Sequence, residues 1–292
     1  MGINQNVFKL LLLENSYKPI TGNFLSIGKH TVSINNNIIS NLLKDYGIPF
    51  LNNKDIDTST RHSSKKNLSD TALLKSFSNA KYSCLDVSNY EGANIIHDMN
   101  LPIPNSLKNK FDFIYNGSCM DNIFNPVSFL INTTEMLKPG GRILHHERSI
   151  TGAGAYLAFS PEYFFSYYSI NKFADVKIYE TIKKKSTNRF EGKADLFSYS
   201  PYFTREHNYN HLKSINSTKG LMHLLILAEK GKSSTSNVSP IQMQYLNKNT
   251  VDWRKSYHKF KKTKRPLLTG KKKKRVKLPY LSDHYKYICS EF

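Results

Sequence analysis

Small, amide or acidic residues follow four apolar runs of the chain. Gly28 allows the backbone to turn sharply and to approach a ligand closely. The carboxylate of Asp86 can accept hydrogen bonds from two ribose hydroxyls, and that of Asp98 can accept one from an exocyclic amine such as that of adenine. Asn116 and Gly117 can line the opening towards a second substrate. Taken singly, each residue has an ordinary explanation as well: Gly28 as a turn, and Asp86 or Asp98 as an exposed loop acid or a helix cap.

The apolar runs before these residues predict an α/β domain, because they alternate with helical patterns over the first 230 residues. Ligands of an open parallel sheet bind beyond the carboxyl ends of the strands, where the strand order reverses. The residues after the first four strands are therefore predicted to meet at one edge of the sheet. The predicted strands are Phe24–Ile27, Tyr82–Leu85, Ala93–Ile96, Phe111–Tyr115, Arg142–His146, Ala174–Ile182 and Leu221–Ala228.

Start signals predict three helices between these strands. One begins at Pro126 with Asn125 as its N-cap, a position that suits proline in the first turn. Another has Ser160 as its N-cap and runs through the aromatic stretch that follows. A short helix further towards the N-terminus is capped by Ser69 or Asp70.

Composition restricts the class of protein. No run reaches the roughly 18 to 20 apolar residues needed to span a bilayer, and the N-terminus lacks a signal-peptide pattern, so we expect a cytoplasmic protein. Cys84, Cys119 and Cys289 form no Cys-x-x-Cys pair, which argues against a disulfide framework and a structural zinc site. Strand alternation sends the adjacent His145 and His146 to opposite faces, so we predict no metal site there.

The charge of the chain is concentrated at its C-terminal end. The formal net charge is +20, and residues 233–292 hold 15 Lys or Arg against 3 Asp or Glu. A basic segment attracts anionic partners such as nucleic acid or acidic glycans. Lys outnumbers Arg 34 to 8, however, and AT-rich coding produces that bias without any partner.

Three stretches together resemble class I S-adenosylmethionine-dependent methyltransferases. They are LDVSNYEGANIIHDMNLPIP (85–104), KFDFIYNGSCMDNIFNPVSFLINTTEMLKPGGRILHH (110–146) and AYLAFSPEYFFSYYSIN (155–171). The nearest similarity is to a bacterial-type subgroup associated with glycan and surface-polysaccharide biosynthesis. The resemblance covers roughly residues 20–230, and its FDFIY and LKPGGRIL pieces are common to class I enzymes generally.

The resemblance implies a Rossmann-like, seven-stranded, mainly parallel sheet with helices on both faces and an antiparallel last strand. It implies S-adenosylmethionine as cofactor and methyl transfer to an oxygen or nitrogen of a small-molecule acceptor, with a glycan or glycan precursor as one candidate. The cofactor-binding residues that it implies are Ser26, Gly28, Asp86, Val87, Asp98, Met99, Asn116 and Gly117.

The domain organisation follows from the same patterns. A methyltransferase-like domain is expected over residues 1–232, with an insertion at 35–80 between its first two strands. Residues 233–250 are predicted to be a linker. A basic C-terminal segment follows at 251–292, and its lysine-rich part should have no packed core of its own.

Two motifs depart from the family pattern. The first usually has an acid and three alternating glycines, whereas this chain has Ser26, Gly28, His30 and Val32. Fewer glycines restrict how closely the backbone approaches a ligand, and His30 adds bulk. We therefore expect the cofactor to bind more weakly than it binds to a complete glycine loop.

The second departure concerns the catalytic base. Members of the subgroup have a Glu-His pair after the fourth strand, and this chain has Asp121 and Asn122 there. An amide takes up no proton near neutral pH, so Asn122 cannot act as a base. Asp121 keeps a carboxylate that can orient a substrate hydroxyl or accept its proton, and it is our candidate catalytic residue.

Three functions stay open from the sequence. The first is a methyltransferase, since methyl transfer is accelerated largely by holding donor and acceptor together. The second is a catalytically inactive binding protein with the same fold, favoured by the missing glycines and the missing Glu-His pair. The third is nucleic-acid binding through the basic segment, with Trp253, Tyr257 and Phe260 stacking on bases.

Overall fold

The chain forms a single sheet with helices on both faces in a computed structural model. The structure describes residues 2–49, 67–149, 154–184, 194–201, 220–242, 253–268, 285–289 and 292. Within these ranges, no helix combines the length and the apolar character needed to cross a membrane.

The strands and helices alternate along most of the chain. The strands are β1 (Asn23–Ile27), β2 (Lys81–Asp86), β3 (Ile95–Ile96), β4 (Phe111–Asn116), β5 (Leu137–Arg148), β6 (Asp175–Lys184), β7 (Ala194–Tyr199), β8 (Gly220–Glu229) and β9 (Tyr285–Cys289). The helices are α1 (Gln5–Tyr17), α2 (Asn36–Asp45), α3 (Asp70–Lys75), α4 (Pro126–Met136), α5 (Pro161–Ile170) and α6 (Trp253–Lys261).

The strand order in the sheet is β3-β2-β1-β4-β5-β8-β6-β7-β9. Strands β1 to β5 pair in parallel, and β8 lies antiparallel to both β5 and β6. The expectation of a seven-stranded, mainly parallel sheet is therefore wrong: among the described residues the sheet has nine strands, with four parallel and four antiparallel pairings. The added strands are β7 and β9, which extend the antiparallel edge.

The strand order reverses at β1, which pairs with β2 on one side and with β4 on the other. Ile27, the last residue of β1, is level with Leu85 of β2 and with Asn116 of β4. Such a switch point creates a crevice beyond the carboxyl ends of the strands. Gly28 and Asp86 therefore follow neighbouring strands at the same edge.

Each strand sends alternate side chains into two separate cores. In β4, Phe113 and Tyr115 enter the core beneath α1, α2 and α3. Ile114 enters the second core, where Phe129 of α4 and Phe164 of α5 pack. The prediction of helices on both faces is confirmed.

The predicted helix starts are confirmed by their caps. The side chain of Asn125 accepts a hydrogen bond from the backbone N–H of Ser128 at the start of α4. Ser160 caps α5 in the same way, and Ser69 caps α3. Within the expected insertion at 35–80, residues 50–66 lie outside the described residues.

The described parts of the C-terminal segment pack on the sheet. Trp253 and Phe260 of α6 are 5% and 3% exposed and enter the second core. Arg265 is buried, and β9 pairs with β7. These parts are buried because they pack against the main domain. Residues 269–284 lie outside the described ranges. The boundaries proposed at 232 and 250 stay predictions.

Candidate functional site

The turn after β1 requires a glycine at position 28. Gly28 has φ +77°, and a Cβ there would lie 2.6 Å from Sγ of Cys119. The backbone N–H of Gly28 donates to the carbonyl of Leu85 (2.7 Å), which joins the turn to β2. Ser26 is buried and donates from Oγ to the carbonyl of Gly28 (2.8 Å). Ser26 therefore shapes the turn from within.

Asp86 lies beside this turn, at the end of β2. Its Oδ1 accepts a hydrogen bond from the backbone N–H of Val87 (2.7 Å). Its Oδ2 lies 3.9 Å from the position that a Cβ on Gly28 would take. Val87, which is 66% exposed, stands next to it as an apolar surface. The arrangement leaves an accessible carboxylate with an apolar neighbour at the switch point.

Asp98 follows the neighbouring strand β3. The backbone N–H of His97 donates to the carbonyl of Asp86 (2.9 Å), so the chain leading to Asp98 is joined to the end of β2. Oδ1 of Asp98 accepts from the backbone N–H and the side-chain amide of Asn100, and these bonds lower the pKa of Asp98. Asp98 is therefore ionised at neutral pH. Met99 is 3% exposed and packs into the second core instead of facing the crevice.

The side chain of Asn116 is committed to internal hydrogen bonds. Its Oδ1 accepts from the backbone N–H of Cys119 (3.0 Å). Its Nδ2 contacts Nδ1 of His145 (2.9 Å) and Oε1 of Glu147 (2.5 Å). Both hydrogens of this amide are used and the side chain is fully buried, so Asn116 offers no side-chain donor to a ligand.

The space between Gly28 and Gly117 contains protein side chains. A Cβ on Gly117 would lie 2.6 Å from Cε1 of His30, whose ring is 4.7 Å from that of Tyr115. His30 is 2% exposed, and its backbone N–H donates to Oδ2 of Asp70 (3.1 Å). The imidazole therefore takes up room on the side of the crevice nearest β4.

Cys119 occupies the neighbouring space. Its thiol donates to the carbonyl of Ile27 (2.8 Å), and burial raises the pKa of Cys119, which keeps it protonated. Val32, in contrast, is fully buried beneath α1 and forms a bridge with Ile3. Of the two residues that replace motif glycines, only His30 faces the crevice.

Asp121 lies in the turn after β4 and is 1% exposed. Its Oδ2 accepts from the hydroxyl of Ser118 (2.5 Å), and its Oδ1 accepts from the amide of Asn122 (2.7 Å). The Nε of Arg148 is 3.6 Å from Oδ2. Burial nevertheless raises the pKa of Asp121, since desolvation outweighs these favourable contacts.

Sequence reasoning missed a second buried acid, Glu147 on β5. It is fully buried, and its Oε2 has no hydrogen-bond partner among the described residues. Burial, with a smaller contribution from the charge of Asp121, raises the pKa of Glu147 well above its ordinary value. No local signal marked Glu147, because β5 also carries Lys138, Arg142, His145, His146 and Arg148.

His145 completes this buried network. Its Nε2 is 2.6 Å from the hydroxyl of Tyr168, and burial lowers the pKa of His145 to about 3. The ring is therefore neutral: Nδ1 accepts from Asn116, and Nε2–H donates to Tyr168.

His146 faces the opposite core, with its ring 5.1 Å from that of His223, so the predicted alternation is confirmed. Among the described residues, no group of three or more His, Cys, Asp or Glu could hold a metal ion.

Exposed aromatic rings stand at the rim, next to Asp121. Phe124 is 81% exposed and Tyr156 is 69% exposed, and their ring centroids are 6.0 Å apart in an edge-on arrangement. The backbone N–H of Tyr156 donates to the carbonyl of Asp121 (2.8 Å). The two rings are thereby held beside the candidate catalytic residue.

Two of the three α6 residues predicted to stack on bases are buried, and stacking by Tyr257 stays a prediction. Trp253 and Phe260 are buried in the second core, so the expectation that they stack on bases is wrong. Nucleic acid and acidic glycans stay predicted partners of residues 251–292.

No model of a known protein family matches this chain, and neither does any curated protein sequence. Among solved structures, it is similar to an S-adenosylmethionine-dependent methyltransferase from Archaeoglobus fulgidus, with 15% identity, a TM-score of 0.40, and coverage of 78% of this chain and 95% of that one. It is also similar to the Burkholderia thailandensis 1,6-didemethyltoxoflavin-N1-methyltransferase with bound S-adenosylhomocysteine, with 11% identity, a TM-score of 0.37 and 78% coverage of both chains.

A third similar structure is phosphoethanolamine N-methyltransferase 2 of Haemonchus contortus with S-adenosyl-L-methionine, with 11% identity and a TM-score of 0.39. The match covers 77% of this chain and 52% of that enzyme. The chain thus spans about half the length of this relative. It also matches the CMeT domain of the citrinin polyketide synthase, and that match covers 52% of the other chain. At TM-scores and identities this low, the similarity carries no argument about what this chain does.

Proposed function

We propose that this chain binds S-adenosylmethionine at the carboxyl edge of β1, β2 and β3 and acts as a methyltransferase. The observation that carries the proposal is the placement of Asp86 beside the Gly28 turn at the point where the strand order reverses. Dinucleotide- and nucleotide-binding sheets place their ligands at such a point. The resemblance of the sequence to class I methyltransferases names the cofactor.

The residues present fit the adenosine half of this cofactor. Asp86 would accept hydrogen bonds from the ribose hydroxyls, and the ionised Asp98 would accept one from the exocyclic amine. Val87 would lie against the adenine ring. The Gly28 turn, which has no room for a Cβ, brings the backbone close to the ligand.

The methionine half of the cofactor meets a tighter site. His30 and Cys119 stand beside Gly117 and Gly28, where this half would extend. We propose that binding displaces the imidazole of His30, since a side chain moves more easily than the backbone of the sheet.

Asp121 is the proposed proton acceptor. The bound cofactor supplies an activated methyl group on a sulfonium. Asp121 would orient the hydroxyl or amine of the acceptor and take up its proton, a role that suits a carboxyl whose pKa is raised. The exposed rings of Phe124 and Tyr156 would hold the acceptor at the rim, and a flat sugar face of a glycan or glycan precursor is the acceptor that we propose.

A second candidate function, a binding protein without turnover, is favoured by one observation. His30 is buried against Gly117 and Tyr115, where the methionine half of the cofactor would lie. If the ring stays there, the reactive methyl cannot reach an acceptor held at Asp121.

Isothermal titration calorimetry with S-adenosylmethionine tests the cofactor claim. We expect saturable binding to the parent protein and a loss of about ten- to a hundredfold in affinity for Asp86→Ala, the effect of losing hydrogen bonds to a charged group. Asp112→Ala is the matched control, because Asp112 lies at the opposite end of the sheet, paired with Lys138 (2.7 Å). Absence of heat with the parent protein rules the cofactor out, and equal losses in both variants assign the effect to general destabilisation.

A radiolabel assay separates the two candidate functions once binding is established. The parent protein is incubated with S-adenosylmethionine labelled in its methyl group and with panels of glycans, proteins and small molecules. Transfer of label supports the enzyme, and binding without transfer to any panel supports the second candidate.

A further inference from the structure

A cavity lies away from the proposed cofactor site. Its volume is about 420 Å³, and residues of β6, β7, α6 and the chain after α6 line it. It is located where β7 diverges from β6, because their pairing extends only as far as Tyr179 opposite Ser198. Residues Val176–Ile178 of β6 therefore have no β7 partner. Strands β5 and β8 separate the cavity from the switch point.

Aromatic and aliphatic side chains form the walls of this cavity. Phe165 and Phe260 pack edge to face with ring centroids 6.0 Å apart, and Ile178, Tyr199 and Tyr257 complete the apolar surface. A volume of this size lies in the range of small-molecule sites, roughly 300 to 1,000 Å³. The walls therefore suit a ligand with a flat apolar body.

Among the described residues, the charged side chains that line the cavity are all cations. Lys177 is ion-paired with Asp175 (2.7 Å), and Arg265 is paired with Asp175 (2.6 Å), Glu14 and Glu229 (2.9 Å), so their charges are balanced behind the wall. Lys261 and Lys286 are exposed at the rim. Since none of the described lining residues is a carboxylate, these two lysines give this part of the cavity mouth a positive charge.

We infer that this cavity binds a small anion with a flat aromatic body, held by the apolar walls and by Lys261 and Lys286. The site is independent of the proposed cofactor site. Its ligand would pair an acidic group with the two lysines while its ring displaces water from the walls.

The probe for this inference is 8-anilinonaphthalene-1-sulfonate, with uncharged N-phenyl-1-naphthylamine as its matched control. Fluorescence titration of the full chain should show saturable binding of the sulfonate with one site per chain. In the double variant Lys261→Gln/Lys286→Gln, its affinity should fall about threefold to tenfold, as two partly exposed ion pairs are lost. The affinity of the uncharged probe should stay within twofold.

Three controls make the result specific. Lys75→Gln/Lys81→Gln removes the same charge from two other exposed lysines and should leave sulfonate binding unchanged. Ser198→Trp, which fills the cavity, should abolish binding of both probes, with folding checked by circular dichroism. Asp86→Ala should leave binding of both probes unchanged, which separates this site from the proposed cofactor site.

Several outcomes would overturn the inference. The first is unsaturable or absent binding of the sulfonate to the parent protein. The second is an equal loss of sulfonate affinity in Lys261→Gln/Lys286→Gln and Lys75→Gln/Lys81→Gln. The third is probe binding that survives Ser198→Trp. Displacement of the sulfonate by S-adenosylmethionine would also overturn it, since it would place the probe in the other crevice.

Discussion

The imidazole of His30 lies directly against Gly117, with Cε1 2.6 Å from the place that a Cβ on Gly117 would take. The two residues come from the turns after β1 and β4, the strands that flank the switch point. Their contact determines how much room the crevice leaves for a ligand.

Removing the ring of His30 should strengthen cofactor binding. In the complex that we propose, the cofactor displaces a buried imidazole, and each 1.4 kcal/mol of such rearrangement weakens binding about tenfold. We expect His30→Ala to lower the Kd for S-adenosylmethionine by roughly that factor in calorimetry. His258→Ala removes an exposed histidine of α6 and should have no effect. Weaker binding by His30→Ala would contradict this account of the crevice.

Adding a methyl group at Gly117 should destabilise the fold. The new Cβ would meet Cε1 of His30 at 2.6 Å and the hydroxyl of Tyr115 at 2.9 Å, both of them buried. Overpacking of this kind costs about 1 to 3 kcal/mol. We expect Gly117→Ala to lower the free energy of unfolding in urea by that amount.

A double-mutant cycle checks the cause of this effect. If the clash with His30 is responsible, Gly117→Ala should cost less in a His30→Ala background than in the parent protein. Strictly additive effects would show that the two residues are not coupled.

Arg265 should anchor the chain that follows α6. Its guanidinium is fully buried and contacts Glu14 of α1, Asp175 of β6 (2.6 Å) and Glu229 of β8 (2.9 Å). Arg265→Met removes one of the two cations on each acid, since Glu14 keeps Arg142, Asp175 keeps Lys177 and Glu229 keeps Lys18. Breaking a buried ion pair by removing one partner costs about 3 to 5 kcal/mol. Thermal and urea unfolding measure the change.

Lys262→Met is the control for Arg265, because it removes an exposed cation three residues away. It should change the free energy of unfolding by less than about 0.5 kcal/mol. Similar losses in both variants would show that the buried ion network contributes nothing specific.

The stability of the protein should fall with rising pH because of Glu147. Burial raises the pKa of Glu147 well above its ordinary 4.5, so the folded state holds its proton where the unfolded chain releases it. The stability that this group contributes is complete below about pH 4.5 and is lost as the pH rises towards the folded-state pKa.

Glu147→Gln keeps the shape of the side chain and removes this titration. We expect its free energy of unfolding, measured in urea between pH 4 and pH 8.5, to fall less with pH than that of the parent protein. A parent protein and a variant with the same pH profile would show that Glu147 is not buried in its neutral form.

Local signals predicted much of the fold. The caps Asn125 and Ser160 stand where their side chains satisfy the first N–H groups of a helix, and the sequence shows that pattern directly. The apolar run of strand β8 is also a local signal. A strand that is covered on both faces has no polar alternation, so a short continuous apolar run predicts it.

Elements that depend on partners distant in sequence were missed. β9 (YKYIC) lies in a lysine-rich segment and becomes a strand by pairing with β7. Helix α1 buries Val7, Phe8, Leu10, Leu11 and Leu12, so it shows no apolar stripe that would reveal its period.

The same limit applies to the candidate site. The acids Asp86 and Asp98 could be placed from the sequence because each follows its own strand. The contact between His30 and Gly117 joins two turns far apart in the chain, and the hydrogen bond between Asn116 and Glu147 joins two strands. Neither pairing leaves a local pattern.

A crystal structure of the protein with S-adenosylhomocysteine tests the central claim most directly. The account predicts the ribose hydroxyls within hydrogen-bond distance of the Asp86 carboxylate, with the imidazole of His30 moved away from Gly117. Ligand bound elsewhere, or bound in the crevice without contact to Asp86, would contradict it.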